Sequence, residues 1–375
     1  MDDPRSARLR ALARRMTDKP QLPFCVPGLA VVISRRGDTD DRLFVGVDGA
    51  GTPIREDTIF PIASASKLAI GLAVLHLADR GRIALDDPLG RYVPRAAAAQ
   101  SGVTVRALLS HTSGLPLDLD PALVPLTPTF DWAAAREACL HTPLASAPAI
   151  RVQYSNTAYG LLALVIEVVT GSDFKTMLEE RVFAPLGVEA YIGRVPPRQW
   201  ARVVDVDSDY VGTELEPYNS DFWCRLGTPW AGIYSTADGL MGLLRAYAEP
   251  HADVVGAAMI AEARRDQTGG LAGGFRTTDP FHGFRGSRAI AWPRCPWGLA
   301  VEVRGDKRPH WTSSAASADS FGQIGASGCV AWCDPARGVS WVALAPRTTD
   351  NGWLLRHGPS LSGMALEAGR PPADG

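Results

Sequence analysis

The sequence predicts an α/β fold: one sheet drawn from both chain ends, with a helical insertion between them. Strand-like runs rich in β-branched residues lie at 28–35 and 42–48, and again at 298–303, 328–333 and 339–345. The middle of the chain instead carries apolar residues three and four apart. With 375 residues, 46% hydrophobic and 21% charged, the chain can bury a large core and hold two lobes. We expect a discontinuous sheet domain over 1–62 and 285–375, and a mainly helical domain over 63–284.

The N-terminus opens acidic and becomes Arg-rich up to Lys19, with a short amphipathic helix through Leu9, Leu12 and Ala13. No apolar run follows, so we expect no secretory signal and a cytoplasmic location. The six cysteines are scattered, with no Cys-x-x-Cys pair, and are expected to be reduced and buried. Cys329 and Cys333 alternate with apolar residues and should share a strand face. After the first strand, 37–41 is turn material leading into its hairpin partner. Residues 65–80 read as a helix ended by Gly81, and 104–111 as a short helix stopped at Gly114. Residues 157–170 read as an apolar helix opened by Asn156 and closed by Gly171. Further helices are expected at 173–182 and, capped by Thr236, at 236–248. The Pro-, Gly- and Trp-rich stretches 195–230 and 250–295 read as long loops. Asp334 to Gly338 reads as a hairpin turn, and 351–368 as a final helix.

A formal net charge of −2 argues against a nucleic-acid or anionic-membrane partner. The longest apolar stretches are interrupted by His76 and Glu167, short of the ~18 residues a spanning helix needs. The seven histidines show no metal-ligand spacing, and no cofactor is expected. His111, near a helix end, reads as structural. The run Gly46 to Gly51 lacks the dinucleotide-binding pattern and reads as a turn.

The chemistry points to Ser64-Ala65-Ser66-Lys67, at a coil-to-helix transition. Residues three apart on a helix share a face. A serine hydroxyl needs a neighbouring base, and a lysine serves as one only when desolvation lowers its pKa. Free N–H groups at a helix start could stabilise an oxyanion. The plain alternative is that Ser64 caps the helix and Lys67 reaches into solvent. Tyr154-Ser155-Asn156 is the second element. Asn156 would cap a helix, and an amide can also orient a lysine and a substrate carbonyl. A phenol near a cationic lysine should have a lowered pKa and shuttle a proton.

Together these motifs resemble the serine β-lactamase and penicillin-binding-protein superfamily, in its class C β-lactamase-like branch. The phrases Phe60-Pro61-Ile62-Ala63, Leu108 to Leu115 and Ala231 to Asp238 resemble that branch as well, over roughly residues 25–350. The resemblance implies a β-lactamase-like fold, an antiparallel sheet flanked by helices plus an all-helical lobe, with the site in the cleft between them. It implies Ser64 as nucleophile, Lys67 with Tyr154 as the proton-transfer pair, and Asn156 orienting Lys67 and the acyl carbonyl. The third motif, usually Lys-Thr-Gly or His-Thr-Gly, reads Gln323-Ile324-Gly325 here. The missing cation weakens the case for β-lactams and peptide carboxylates. By resemblance, the backbone N–H of Ala326 would be the second oxyanion donor beside that of Ser64. Gly325 would let substrate approach the strand edge. The implied activity is an esterase on a small-molecule ester or amide substrate, working through an acyl-enzyme. The alternatives are an acyltransferase, a β-lactamase or D-amino-acid peptidase, and a non-catalytic binding protein. Oligomeric state is not readable.

Overall fold

The structure is a computed structural model, and it describes residues 4–36, 41–120, 122, 124, 127–206, 212–278 and 287–368. The strands are β1 (Gly28–Arg35), β2 (Asp41–Gly46), β3 (Phe60–Pro61), β4 (Ala190–Ile192), β5 (Ile233–Ser235), β6 (Gly273–Thr278), β7 (Ser287–Trp292), β8 (Glu302–Val303), β9 (Phe321–Gly325), β10 (Cys329–Asp334) and β11 (Val339–Leu344). The helices are α1 (Pro4–Thr17), α2 (Ser66–Asp79), α3 (Val105–Leu109), α4 (Trp132–His141), α5 (Asn156–Thr170), α6 (Phe174–Leu178), α7 (Ala184–Leu186), α8 (Asp221–Leu226), α9 (Ala237–Ala248), α10 (Ala257–Ala263) and α11 (Trp353–Ala368).

Six strands form one sheet in the order β2-β1-β11-β10-β9-β8. Every pairing in it is antiparallel. The two chain ends meet where β1 pairs with β11, with Ala30 opposite Leu344. β1, β10 and β11 are buried along their whole length, which requires cover on both faces. Their side chains divide with period two. Leu29, Val31, Ile33, Val330 and Trp332 enter the core under α1 and α11. Ala30, Val32, Cys329, Ala331 and Cys333 enter the core shared with α2 and α9. Cys329 and Cys333 therefore lie on one face, as expected, and all six cysteines are free and buried. Trp332 pairs directly across from Trp341. Both are fully buried, so truncating either to alanine would cost about 3–5 kcal/mol.

Several expectations change. The run 298–303 alternates like a strand, but only Glu302 and Val303 join the sheet. Leu299 N–H bonds the Ala263 carbonyl and Ala300 N–H bonds the Leu109 carbonyl. The segment threads between helix ends, with Ala300 at φ +67° against Gly71, where any Cβ on Gly71 would collide with it. The helix expected at 173–182 is α6 running through a π-turn, Glu179–Phe183, into α7. The stretches 195–230 and 250–295 are not plain loops, because they hold α8, α10 and the β6–β7 hairpin. Asn156 does not cap α5: the Ser155 hydroxyl accepts from Ala158 N–H and Asn156 is the first helical residue. The turn expected at 37–41 lies, apart from Asp41, outside the described residues. Gly81, Gly171 and Gly338 all sit at positive φ where a helix or hairpin ends, and Thr236 caps α9 through Gly239 N–H. No helix among the described residues is long and apolar enough to cross a membrane.

Candidate active site

Ser64 is placed by a forced turn. β3 pairs with β5, and Ile62 N–H then bonds the Ile233 carbonyl. Ala63 follows at φ +42°, a conformation costing on the order of 1–3 kcal/mol for a residue with a Cβ. A single 3₁₀ turn, Ala63–Ala65, carries Ser64 into α2, whose start no side chain caps. Ser66 Oγ accepts from Ile233 N–H at 3.1 Å, fixing the helix start against β5. Ser64 is not the helix cap: it is half-buried, one turn before Lys67.

The far end of β9 clamps the same segment. A Cβ on Gly325 would lie 2.2 Å from the Ile62 carbonyl, so only glycine permits this approach. Cys329 Sγ donates to that carbonyl at 3.1 Å. Ala326, the next residue after Gly325, is exposed. The strand edge thus lies against the Ser64 turn, with Ala326 open to solvent beside it.

Lys67 is fully buried, at 0% exposure, and does not reach into solvent. Its Nζ lies 3.3 Å from Ser64 Oγ, 2.7 Å from Asn156 Oδ1 and 3.2 Å from the Trp230 carbonyl oxygen. It also stands 4.5 Å above the Tyr154 ring and 5.4 Å from the Tyr159 ring centroid. Burial pushes the amine well below the ordinary lysine value, opposed by the Asp118 carboxylate.

Tyr154 corrects the sequence reading. Burial pushes its phenol up, and its hydrogen bond with Ser64 offsets only part of that. Lys67 Nζ stands over the ring, and burial favours its neutral form, so no cation lowers the phenol. Tyr154 is a neutral hydroxyl hydrogen-bonded to Ser64. His111 packs behind it, ring centroids 4.3 Å apart, and accepts from Ser155 N–H through Nδ1 at 3.1 Å. Burial, then Lys67, keeps the imidazole well below its usual value, so it is a neutral packing ring, in keeping with a structural histidine.

Because Ser155 supplies the cap, the Asn156 side chain is released toward the site. Its Oδ1 faces Lys67 and its Nδ2 donates to Asp118 Oδ1 at 2.6 Å. Sequence reasoning missed Asp118, which follows Leu117 in a loop 38 residues before Asn156 and forms no motif with it. Gln323, directly opposite Ala331 on the sheet face that packs on α2 and α9, is 1% exposed. Its Oε1 accepts from Ile324 N–H, and its Nε2 has no hydrogen-bond partner. A neutral amide thus lies buried where the third motif places a cation. Among the described residues, no group of three or more His, Cys, Asp or Glu could hold a metal ion.

A family model described as Beta-lactamase matches residues 23–354. Penicillin-binding protein 4 of Amycolatopsis lactamdurans is 30% identical over 231 residues, covering 59% of this chain and 59% of the relative. Esterase EstB of Burkholderia gladioli is 32% identical over 191 residues, 46% of this chain and 48% of the relative. The chain thus spans about half to three-fifths of the length of these curated relatives. Among solved structures, EstCE1, described as a hydrolase with promiscuous acyltransferase activity, superimposes with a TM-score of 0.74 at 18% identity, covering 97% of this chain and 98% of the other.

Proposed function

This chain belongs to the Beta-lactamase family of serine hydrolases, and from that premise we propose that it is an esterase forming an acyl-enzyme on Ser64. Lys67 carries the reading: an amine stripped of water and 3.3 Å from Ser64 Oγ. In the neutral form its lone pair can take the serine proton as Oγ bonds to the ester carbonyl carbon. The carbonyl π electrons move onto oxygen. The N–H groups of Ser64 and Ala326 are the proposed donors to that oxyanion, each worth a few kcal/mol of barrier. As the intermediate collapses, the C–O bond breaks. The proton held by Lys67 passes through the Tyr154 hydroxyl to the leaving alcohol. A raised phenol pKa suits this relay, because Tyr154 then gives up its own proton only as it receives another. Water adds to the acyl-enzyme by the same path in reverse and releases the acid.

Gln323 supports a neutral ester over a substrate recognised by its carboxylate, because a buried amide offers no charge to pair with one. The similarity to an esterase of Burkholderia gladioli agrees with this choice. The test is a fluorophosphonate label mapped by mass spectrometry, with a panel of p-nitrophenyl esters, a chromogenic cephalosporin and D-amino-acid amides. We expect one adduct on Ser64 and the fastest turnover on esters. An unlabelled Ser64, or an active Ser64→Ala variant, would overturn the reading.

A further inference from the structure

We propose that Asp118 is a positioning residue for Lys67, acting through the Asn156 side chain, whose amide it holds with the carbonyl turned toward the lysine nitrogen. This rests on the reading of Lys67 as the base. An amide has a donor end and an acceptor end, whereas a carboxylate can only accept. The 2.6 Å contact from Asn156 Nδ2 to Asp118 therefore fixes which end faces the other way, and that end is Oδ1, 2.7 Å from Lys67 Nζ. Without the carboxylate the amide could turn over and set N–H against the lysine, in place of an acceptor.

The carboxylate is held in register. Asn156 N–H bonds the Leu117 carbonyl at 2.6 Å, and Ser155 Oγ donates to the Pro116 carbonyl at 2.6 Å. These bonds strap 116–118 across the start of α5. Asp118 itself is exposed and, among the described residues, pairs with no cation. The other titratable groups around Lys67 are Ser64 on its own segment, Tyr154 and Tyr159 from before and within α5, and His111 from the loop after α3. Tyr247 of α9 bonds the neighbouring Leu68 carbonyl. None of these is an anion at neutral pH, because burial raises the phenols and keeps the imidazole neutral. Asp118 is thus the negative charge that works against burial at Lys67.

The test is the pH profile of kcat/KM for p-nitrophenyl acetate, whose rising limb reports the base in the free enzyme. In Asp118→Asn the limb moves to lower pH, since the lysine loses an anion that favours its protonated form. Asp118→Glu, which keeps the charge, returns the limb toward its original position. Because residue 118 is exposed, thermal melting should be unchanged in both variants. A limb that stays in place, or moves up, in a folded Asp118→Asn protein overturns the proposal. Should wild-type Ser64 take no label, or Lys67→Met retain the limb, the base reading itself fails. An intact wild-type limb that Lys67→Met abolishes and Asp118→Asn leaves alone sinks only the role of Asp118.

Discussion

Two of the lysines in this chain are equally buried and oppositely surrounded. Lys307, in the loop after β8, donates to Glu302 Oε1 at 2.6 Å and to the carbonyls of Pro296 and Val303 at 2.8 and 2.9 Å. His310 Nε2 lies 3.5 Å from the same carboxylate. Burial pushes the Glu302 carboxyl up, but Lys307 and His310 outweigh it and hold it below the usual range. Lys67 has a hydroxyl, an amide oxygen and a carbonyl, with its nearest carboxylate one side chain away. Burial alone therefore does not decide what a lysine does. A directly bonded counter-ion fixes a lysine as one half of a buried ion pair, and neutral partners leave it free for the proposed role of base.

The sharpest way to break this contrast is to remove each amine. Lys67→Met should cut acylation by p-nitrophenyl esters by about 10³-fold. It should leave the urea midpoint unchanged or raised, because a buried amine with no bonded counter-ion gives way to an apolar chain of similar length. Lys307→Met should do the opposite, costing about 3–5 kcal/mol by leaving the Glu302 charge buried and unpaired. If both variants lose stability alike, the contrast is wrong. Adding Glu302→Gln to Lys307→Met should restore about 2 kcal/mol or more, since the orphaned charge is then gone, and a double-mutant cycle reads this directly.

Tyr154→Phe sharpens the kinetic side. It removes the relay hydroxyl but keeps the ring beneath Lys67, so turnover should fall about 10²-fold with the rising pH limb still present. The smallest effect is the slope of stability with pH. The depressed Lys67 binds its proton more readily when unfolded, so wild-type stability should rise with pH in the window between its folded value and the ordinary ~10.4, by at most about 1.4 kcal/mol per unit. Lys67→Met should lack that rise. The depressed Glu302 works at the other end: its contribution is complete above ~4.3 and is lost as pH falls through its folded value. Urea midpoints taken across pH for both proteins separate the two.

What could be read in advance followed from short-range rules. β-Branched and apolar runs beside a hairpin turn gave β1, β10 and β11, and three-and-four spacing with capping residues gave α2, α5 and α9 nearly to their ends. Ser64 and Lys67 were visible because one helical turn joins them. The misreadings lie where partners are distant in the chain. The 298–303 run looks like a strand until Ala263 and Leu109 claim its N–H groups. Asp118 carries no signal at all, and the one local misreading is Asn156, displaced as the cap by the adjacent Ser155.

Residue types, spacing and alternation were enough to specify the central sheet strands β1, β10 and β11, the helices α2, α5 and α9, the shared face of Cys329 and Cys333 and the Ser64–Lys67 pair, because each depends on neighbours within a turn or a strand. Protonation was settled elsewhere. Whether Lys67 is a base, Tyr154 a neutral hydroxyl and Gln323 a buried amide depends on how much water the packed helices and the β9 edge exclude, and on which carboxylate lies within reach. Solvation and charge–charge energy fall off with distance in space, and folding alone sets those distances.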